Sequence, residues 1–182
     1  LRVDGLSFIY PNSEKEVLKD VSFTIKKGEI ISILGYNGSG KTTLSKLLYG
    51  GFGPKKGYVS INGAFISDYN VETVSKYFGI APQEYSKVSL PVRKIVGLGC
   101  IEKMDDDNLI SEAYERAHLQ NLINKLPNGD LTIIGKEYDS DGVDLSGGEM
   151  QSIILSSAYM GNPELLILDE PTASIDPIKE MT

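Results

Sequence analysis

A glycine-rich segment with one lysine carries the clearest chemistry in this chain. It reads "GYNGSGKTT" from Gly35 to Thr43 and fits the pattern G-x-x-x-x-G-K-[ST]. An apolar run precedes it and leucines at helical spacing follow it, which is the context that supports such a motif. Backbone N–H groups of a loop like this point inward at an anion, and the next helix start favours negative charge. The segment therefore predicts a phosphate-binding loop, in which Lys41 reaches the β- and γ-phosphates and the Thr42 hydroxyl binds magnesium.

Two adjacent acidic residues end a second apolar run, "LLILDE". Asp169 follows four apolar residues, so we expect it at the C-terminal end of a buried strand, where ligands bind in open α/β sheets. Asp169 would hold magnesium through water there, and Glu170 would polarise the attacking water as a general base. The pair could instead cap a helix, but the phosphate loop upstream disfavours that alternative.

A second glycine-rich turn, "LSGGE" from Leu145 to Glu149, contains no lysine. Ser146 is a suitable N-cap, and Glu149 three residues later would complete a capping box. One interpretation is therefore simply a well-capped helix, with a buried face formed by Ile153, Ile154 and Ala158. A nest of N–H groups at a helix start is also an anion site. Because the first loop already accounts for one nucleotide, the second turn favours a role at a nucleotide held by another subunit.

The elements that must position these residues follow from the apolar pattern. Residues 2–10 and 17–25 alternate as strands do, and the nearly continuous apolar run at 30–34 is typical of a strand buried on both faces. Asn62-Gly63 predicts a hairpin. "FGIAPQ" predicts a short buried strand that ends at Pro82.

From Glu84 to about Leu126 the pattern becomes helical and polar. Aspartates near the start of one helix are expected to cap it rather than to bind a metal. Its buried stripe comprises Leu109, Ile110, Ala113 and Ala117. We therefore predict an α/β fold divided into a β region and first part of a nucleotide-binding core at 1–83, a helical subdomain with the second glycine turn at 84–161, and the second part of the core at 162–182.

Composition narrows the functional classes. The 182 residues carry a net charge of −7, which argues against nucleic-acid binding through bulk electrostatics. No apolar run approaches the ~18 residues that a membrane span needs, and we expect no signal peptide. The single cysteine, Cys100, is expected to be inert packing, and a cytosolic compartment fits best.

The whole set of motifs resembles the ATP-binding cassette (ABC) ATPase family over essentially the entire chain. The resemblance rests on Tyr10, the phosphate loop, Gln83, "LSGGE", "LLILDE" and "SID" in this order. It implies a P-loop NTPase (RecA-like) core with an N-terminal antiparallel β region and an inserted α-helical subdomain. It also implies ATP and Mg²⁺ as ligands, with ATP contacts from Tyr10, Gly35, Asn37, Gly38, Ser39, Gly40, Lys41, Thr42 and Thr43.

The resemblance assigns further roles residue by residue. Tyr10 is similar to the aromatic residue that stacks on adenine, although a tyrosine before a proline could also be a turn residue. Gln83 resembles the glutamine that senses magnesium and the attacking water, which gives Lys41, Gln83 and Glu170 as catalytic residues and Thr42, Gln83 and Asp169 as metal residues. The signature that clamps the ATP of the opposite subunit matches Leu145, Ser146, Gly147, Gly148 and Glu149. The loop that crosses the dimer interface matches Ser174, Ile175 and Asp176.

The segment before the signature is most similar to that of exporter-type cassettes. Glu137 is present there, but Tyr138-Asp139 replaces a frequent arginine-glycine pair. The resemblance implies a head-to-tail dimer of nucleotide-binding domains, homomeric or heteromeric, coupled to a transmembrane domain on the same chain at the cytoplasmic face of the cell membrane. The alternative is a soluble ABC ATPase that acts on a ribosome or another macromolecular complex.

Two departures from the family pattern stand out. Ser152 replaces a frequent arginine, and the family's switch histidine would lie downstream of Thr182. The one histidine, His118, is expected to be a surface or packing residue. We expect the sequence to be part of a longer protein, without the strand that normally lies between the phosphate-loop strand and the Asp169 strand. Its absence would leave a gap in the sheet.

Overall fold

The computed structural model describes residues 1–83, 85, 88–136 and 141–169. The chain divides into two compact units, Leu1–Ser75 and Lys76–Thr182. Within the described ranges, no helix combines the length and the apolar character that crossing a bilayer requires.

The first unit is built on an antiparallel sheet, which confirms the predicted antiparallel β region. Its strand order is β2-β1-β3-β4, with β1 at Arg2–Ile9, β2 at Glu16–Thr24, β3 at Lys56–Ile61 and β4 at Ala64–Phe65. Helix α1 (Lys41–Leu48) lies between β2 and β3 in the chain and buries Leu44, Leu47 and Leu48. Asn62 and Gly63 adopt φ of 51° and 88°, so the turn between β3 and β4 has the positive φ values that this dipeptide tolerates.

The apolar run at 30–34 does not form the strand that its composition predicts. It has no regular structure, and the side chains of Ile30 and Leu34 are 95% and 91% exposed. A strand is stable only when its N–H and C=O groups pair with a neighbour, and none of the described strands pairs with this run. The prediction of a strand buried on both faces is therefore wrong for this chain.

Helix α2 (Val71–Tyr77) contains the boundary between the units. The second unit contains a pair of parallel strands. Strand β5 (Phe78–Ala81) pairs with β6 at Leu165–Leu168. The predicted burial of β6 holds for Ile167 only, because Leu166 and Leu168 are 37% and 39% exposed. Successive side chains of a strand point to opposite faces. On one face of β5, Gly79 packs directly against the helix at Gly147–Tyr159.

In the part of the chain that the structure describes, helices form the core of the second unit. The described α-helices of this unit are α3 (Val92–Gly97), α4 (Asp107–Arg116), α5 (Gln120–Ile123) and α6 (Gly147–Tyr159). Short 3-10 turns lie at Leu98–Lys103 and Gly129–Leu131 in the same unit. Another 3-10 turn lies at Ile66–Asp68 in the first unit. The predicted stripe of α4 is confirmed, because Ile110, Ala113 and Ala117 are buried and Leu109 packs against the same core. Cys100 also packs there, half-buried.

The N-terminal end of α4 is capped as predicted. The Asp106 carboxylate caps the helix by accepting hydrogen bonds from the N–H groups of Asn108 and Leu109 at 3.0 and 3.2 Å. Among the described residues, no group of three or more acidic, histidine or cysteine side chains is placed to hold a metal ion. His118 lies just past α4 as an exposed residue with φ of 52°, which confirms that it is a surface residue.

Candidate functional site

The phosphate loop is tight where it enters α1. Gly40 is the N-cap residue with φ of 97°, and a Cβ there would lie 2.9 Å from Leu18 Cδ2 and 3.2 Å from the Val17 carbonyl oxygen. A Cβ at Gly35 would lie 2.6 Å from Ser39 Oγ. Glycine at these two positions therefore lets the loop turn closely on itself and on β2.

The Lys41 side chain folds back across this loop. Its Nζ donates hydrogen bonds to the carbonyl oxygens of Gly35 at 3.0 Å and Tyr36 at 3.3 Å. The first N–H groups of a helix lack intrahelical acceptors, so the start of α1 offers donors beside this ammonium group. On the Cβ side of Gly38 there is open space, with no heavy atom within 4 Å. Donors, a cation and open space at one loop suit the phosphates of a nucleotide.

Tyr10 and Thr43 are brought together in the first unit. The Tyr10 hydroxyl and Thr43 Oγ1 share a hydrogen bond of 2.8 Å, and Thr43 is buried. Tyr10 is thus attached to the helix that follows the phosphate loop. Phe52 also contacts Tyr10. The sequence did not predict this contact, because nothing in the residues around Phe52 links it to a tyrosine that follows β1.

The second glycine turn forms the capping box that its sequence predicts. The Ser146 hydroxyl accepts from the Glu149 N–H at 3.3 Å and donates to Glu149 Oε2 at 2.8 Å, while the Ser146 N–H donates to the same carboxylate oxygen at 2.9 Å. Ser146 and Gly147 are exposed, whereas Ile153 and Ala158 of the same helix are buried and Ile154 is partly buried. The helix therefore presents its capped start to solvent and anchors its other end in the core.

Gln83 and Asp169 follow neighbouring strand ends in the second unit. Ala81 pairs with Leu168 in the parallel β5–β6 ladder, and the Asp169 N–H donates to the Ala81 carbonyl oxygen at 2.9 Å. Because the carboxyl ends of parallel strands meet at one edge, Gln83 and Asp169 leave the sheet on the same side. Asp169 is half-buried and Gln83 is exposed.

Several predicted site residues lie outside the described residues. They are Glu137, Tyr138, Asp139, Glu170, Ser174, Ile175 and Asp176. Their assignments, including Glu170 as general base, stay predictions. The phosphate loop belongs to the first unit, and Gln83, Asp169 and the signature turn belong to the second.

A charge cluster in the second unit serves packing. The Tyr114 hydroxyl donates to Asp130 Oδ2 at 3.2 Å, and Arg93 forms ion pairs with Asp130 and Asp107. Burial raises the pKa of Tyr114, and the neighbouring Asp130 carboxylate raises it further. The hydrogen bond to Asp107 raises the pKa of Arg93. The cluster joins α3, α4 and the turn at Gly129–Leu131, so it stabilises the helical core.

Comparison with known proteins agrees with these motifs. The family model described as ABC transporter matches residues 18–173. A probable multidrug resistance ABC transporter ATP-binding/permease protein, YheI of Bacillus subtilis, is 34% identical over 171 residues, which is 94% of this chain and 28% of that protein. An ATP-dependent lipid A-core flippase of Aromatoleum aromaticum is 32% identical over 176 residues, covering 97% of this chain and 28% of that protein.

A solved structure shares the fold over nearly the whole chain. It is that of a bacterial Atm1-family ABC exporter with ATP bound, with a TM-score of 0.85 and 27% identity, covering 99% of this chain and 30% of that one. The chain thus spans less than a third of the length of these relatives. Its mixed helix and sheet, with the phosphate loop before α1, is the P-loop NTPase fold. The chain belongs to the ABC transporter family and is an ATPase domain of that family.

Proposed function

We propose that this chain binds and hydrolyses ATP in a head-to-tail dimer of nucleotide-binding domains and so drives export of a substrate across a membrane. The observation that carries the proposal is the loop from Gly35 to Thr43, with the Lys41 ammonium folded onto its carbonyl oxygens immediately before α1. The relatives named above are described as a transporter, a flippase and an exporter, which supports export over action on a soluble complex. The Bacillus subtilis relative is described as an ATP-binding/permease protein, which supports a transmembrane partner on the same chain.

The chain's own residues account for phosphate binding. An incoming triphosphate would accept hydrogen bonds from the first N–H groups of α1, and Lys41 would exchange two neutral carbonyl oxygens for charged phosphate oxygens. A phosphate oxygen carries negative charge and a carbonyl oxygen does not, so the attraction between opposite charges favours the bound state. Thr42, Gln83 and Asp169 are hydroxyl, amide and carboxylate oxygen donors, which are the ligands that Mg²⁺ prefers. When bound, Mg²⁺ would neutralise charge on the phosphate oxygens.

Glu170 carries the proposed proton transfer. It follows Asp169 directly, and a carboxylate there would orient a water and accept its proton as the water attacks the terminal phosphate. Gln83 would help to orient the same water through its amide group.

The signature turn is assigned to the nucleotide of the partner subunit. Ser146 and Gly147 are exposed at the start of a thirteen-residue helix whose dipole favours an anion. The Ser146 hydroxyl is engaged with Glu149, so binding a phosphate would require the hydroxyl to turn away from that carboxylate. A second subunit placed head to tail would supply that phosphate.

A mixed dimer of the intact protein tests this arrangement. One subunit carries Lys41→Ala and the other carries Ser146→Arg, each with its own affinity tag. If the signature acts in trans, both defects fall in one composite site and the other site is intact. ATP-dependent association of the two nucleotide-binding domains, measured by crosslinking, should then persist in the mixed dimer and be lost in both homodimers.

The controls keep the result interpretable. Ser146→Thr preserves the capping hydroxyl and should behave as wild type, and circular dichroism should show that Ser146→Arg is folded. If the signature served the nucleotide of its own chain, both sites of the mixed dimer would be damaged. A mixed dimer as inactive as either homodimer would therefore refute the head-to-tail assignment.

A further inference from the structure

An aromatic cluster in the first unit surrounds the tyrosine that is proposed to stack on the base. We propose that Phe52 is a positioning residue, which holds the Tyr10 ring ready for the base of the nucleotide. This inference rests on the proposed function, because it requires Tyr10 to bind the base. In the chain, Phe52 follows α1 and the Gly50-Gly51 pair.

The three rings of Phe8, Tyr10 and Phe52 meet in one cluster. Tyr10 lies nearly perpendicular to both others, at 5.0 Å and 82° from Phe8 and at 5.6 Å and 84° from Phe52. Phe8 and Phe52 are stacked with centroids 5.4 Å apart. Both contacts with Tyr10 have the edge-to-face geometry that aromatic pairs prefer. Neither phenylalanine ring is stacked parallel to the Tyr10 ring, which is the arrangement that the base itself would adopt.

The far end of Tyr10 is fixed as well. Its hydroxyl shares the 2.8 Å hydrogen bond with Thr43, which is only 5% exposed and lies two residues after Lys41. Phe8 is buried in β1 at 4% exposure, so two rigid groups hold Tyr10 from the sheet and from α1. Phe52 contacts Tyr10 from the loop after α1. Lys46 Nζ lies 5.9 Å from the centroid of the Phe52 ring.

This arrangement has a consequence for nucleotide affinity. A tyrosine held in one orientation loses little side-chain entropy when a base stacks on it, whereas a mobile one must be ordered on binding. Stacking is tolerant of base identity, because every base has a π-face. Loss of the Phe52 ring should therefore weaken adenine and guanine nucleotides alike and leave an inorganic triphosphate chain unaffected.

The test compares ligands with and without a base, in the intact protein, by calorimetry. Phe52→Leu should weaken binding of Mg-ATP and Mg-GTP by about three- to tenfold, which corresponds to the energy of an aromatic pair. Binding of Mg-tripolyphosphate should change by less than about twofold, since it has no base to stack. Phe52→Tyr, which restores the ring, should return ATP affinity to the wild-type value.

A matched control is available in the same unit. Phe65 pairs edge-on with Tyr58, with centroids 4.9 Å apart, so Phe65→Leu removes a comparable aromatic contact away from the phosphate loop. It should leave all three affinities unchanged. Phe52→Met serves as a second variant without a ring if Phe52→Leu is poorly folded.

The outcomes separate this inference from the proposed function. Tyr10→Ala should weaken ATP binding without affecting tripolyphosphate. If it does so while Phe52→Leu and Phe52→Met bind ATP as wild type, the positioning role is overturned and the proposed function stands. Equal losses for ATP and tripolyphosphate in Phe52→Leu would also overturn it, because Phe52 would then support the phosphate loop. If wild type binds no ATP, the proposed function itself fails.

Discussion

The Lys41 ammonium donates a hydrogen bond to the carbonyl oxygen of Gly35 at 3.0 Å, so the lysine lies over the loop that precedes its own helix. Under the proposed function, this is where the phosphates of a nucleotide would meet the start of α1. This contact also keeps the ammonium hydrogen-bonded when no anion is near.

Removing the Lys41 ammonium group should weaken the binding of phosphate groups and leave the binding of the nucleoside unchanged. Lys41→Ala is expected to weaken Mg-ATP binding by about 10- to 100-fold, the worth of a hydrogen bond to a charged group. Adenosine binding should be unchanged, because adenosine has no phosphates. Calorimetric titration of both ligands measures this, with Lys125→Ala as an exposed lysine control. Equal losses for ATP and adenosine would contradict the role of Lys41.

The proposed general base, Glu170, can be replaced by an uncharged side chain of nearly the same shape. Glu170→Gln in the intact protein should retain ATP affinity and reduce hydrolysis by at least about 100-fold, the contribution typical of general-base catalysis. Since the ATP persists, the dimer should accumulate in its closed form. Phosphate release and size-exclusion chromatography with ATP test both effects. Turnover at the wild-type rate would rule out Glu170 as the base.

Close contact between β5 and α6 depends on Gly79. A Cβ at this position would overlap the Ala158 carbonyl oxygen and lie 2.7 Å from Leu166 Cδ2 and 2.8 Å from Pro163 Cγ. Gly79→Ala is expected to lower the free energy of unfolding by about 2 kcal/mol or more, as overpacking does. Urea unfolding measures it. Gly53→Ala is the control, because no heavy atom lies within 4 Å of a Cβ there, and an equal effect of the two substitutions would contradict the packing.

The buried Tyr114 predicts a pH dependence of stability. Its pKa in the folded state is raised by burial above the ordinary value of about 10. Above that pH the unfolded tyrosine loses its proton while the folded one keeps it, so the unfolded state is favoured and stability falls as pH rises. Tyr114→Phe should cost about 1 kcal/mol at neutral pH, through the lost hydrogen bond to Asp130.

The difference between wild type and Tyr114→Phe should shrink as the pH rises beyond about 10, because only the wild type carries this ionisation. Urea unfolding at neutral pH and at about pH 11 tests the change. Tyr36→Phe is the control, since Tyr36 is 93% exposed and should alter neither value. A constant difference across this range would show that Tyr114 ionises equally in both states.

Local signals predicted local structure well. The Asn62-Gly63 hairpin, the Asp106 cap of α4 and the Ser146–Glu149 capping box all formed as expected. Each depends on residues within a few positions of one another, so the sequence contains all the partners. The family was predicted for the same reason, because its motifs are short and their order is fixed by the chain.

Strand formation and burial were less predictable. The apolar run at 30–34 has the composition of a buried strand but lies exposed, and β6 buries only one of its faces. A strand needs hydrogen bonds and packing partners from elements that are distant in the chain. The composition of the segment does not show whether those partners are present. The structure decides whether they are present.

By itself, the sequence determined the phosphate loop, the capped signature helix and the ABC transporter family, since each is encoded by residue types at short spacing. The tertiary structure alone decided that Phe52 meets Tyr10, that Tyr10 is bonded to Thr43, and that Gln83 and Asp169 leave the sheet at one edge. These residues are far apart in the chain. Only the paths of β1, α1 and the β5–β6 pair through space bring them together.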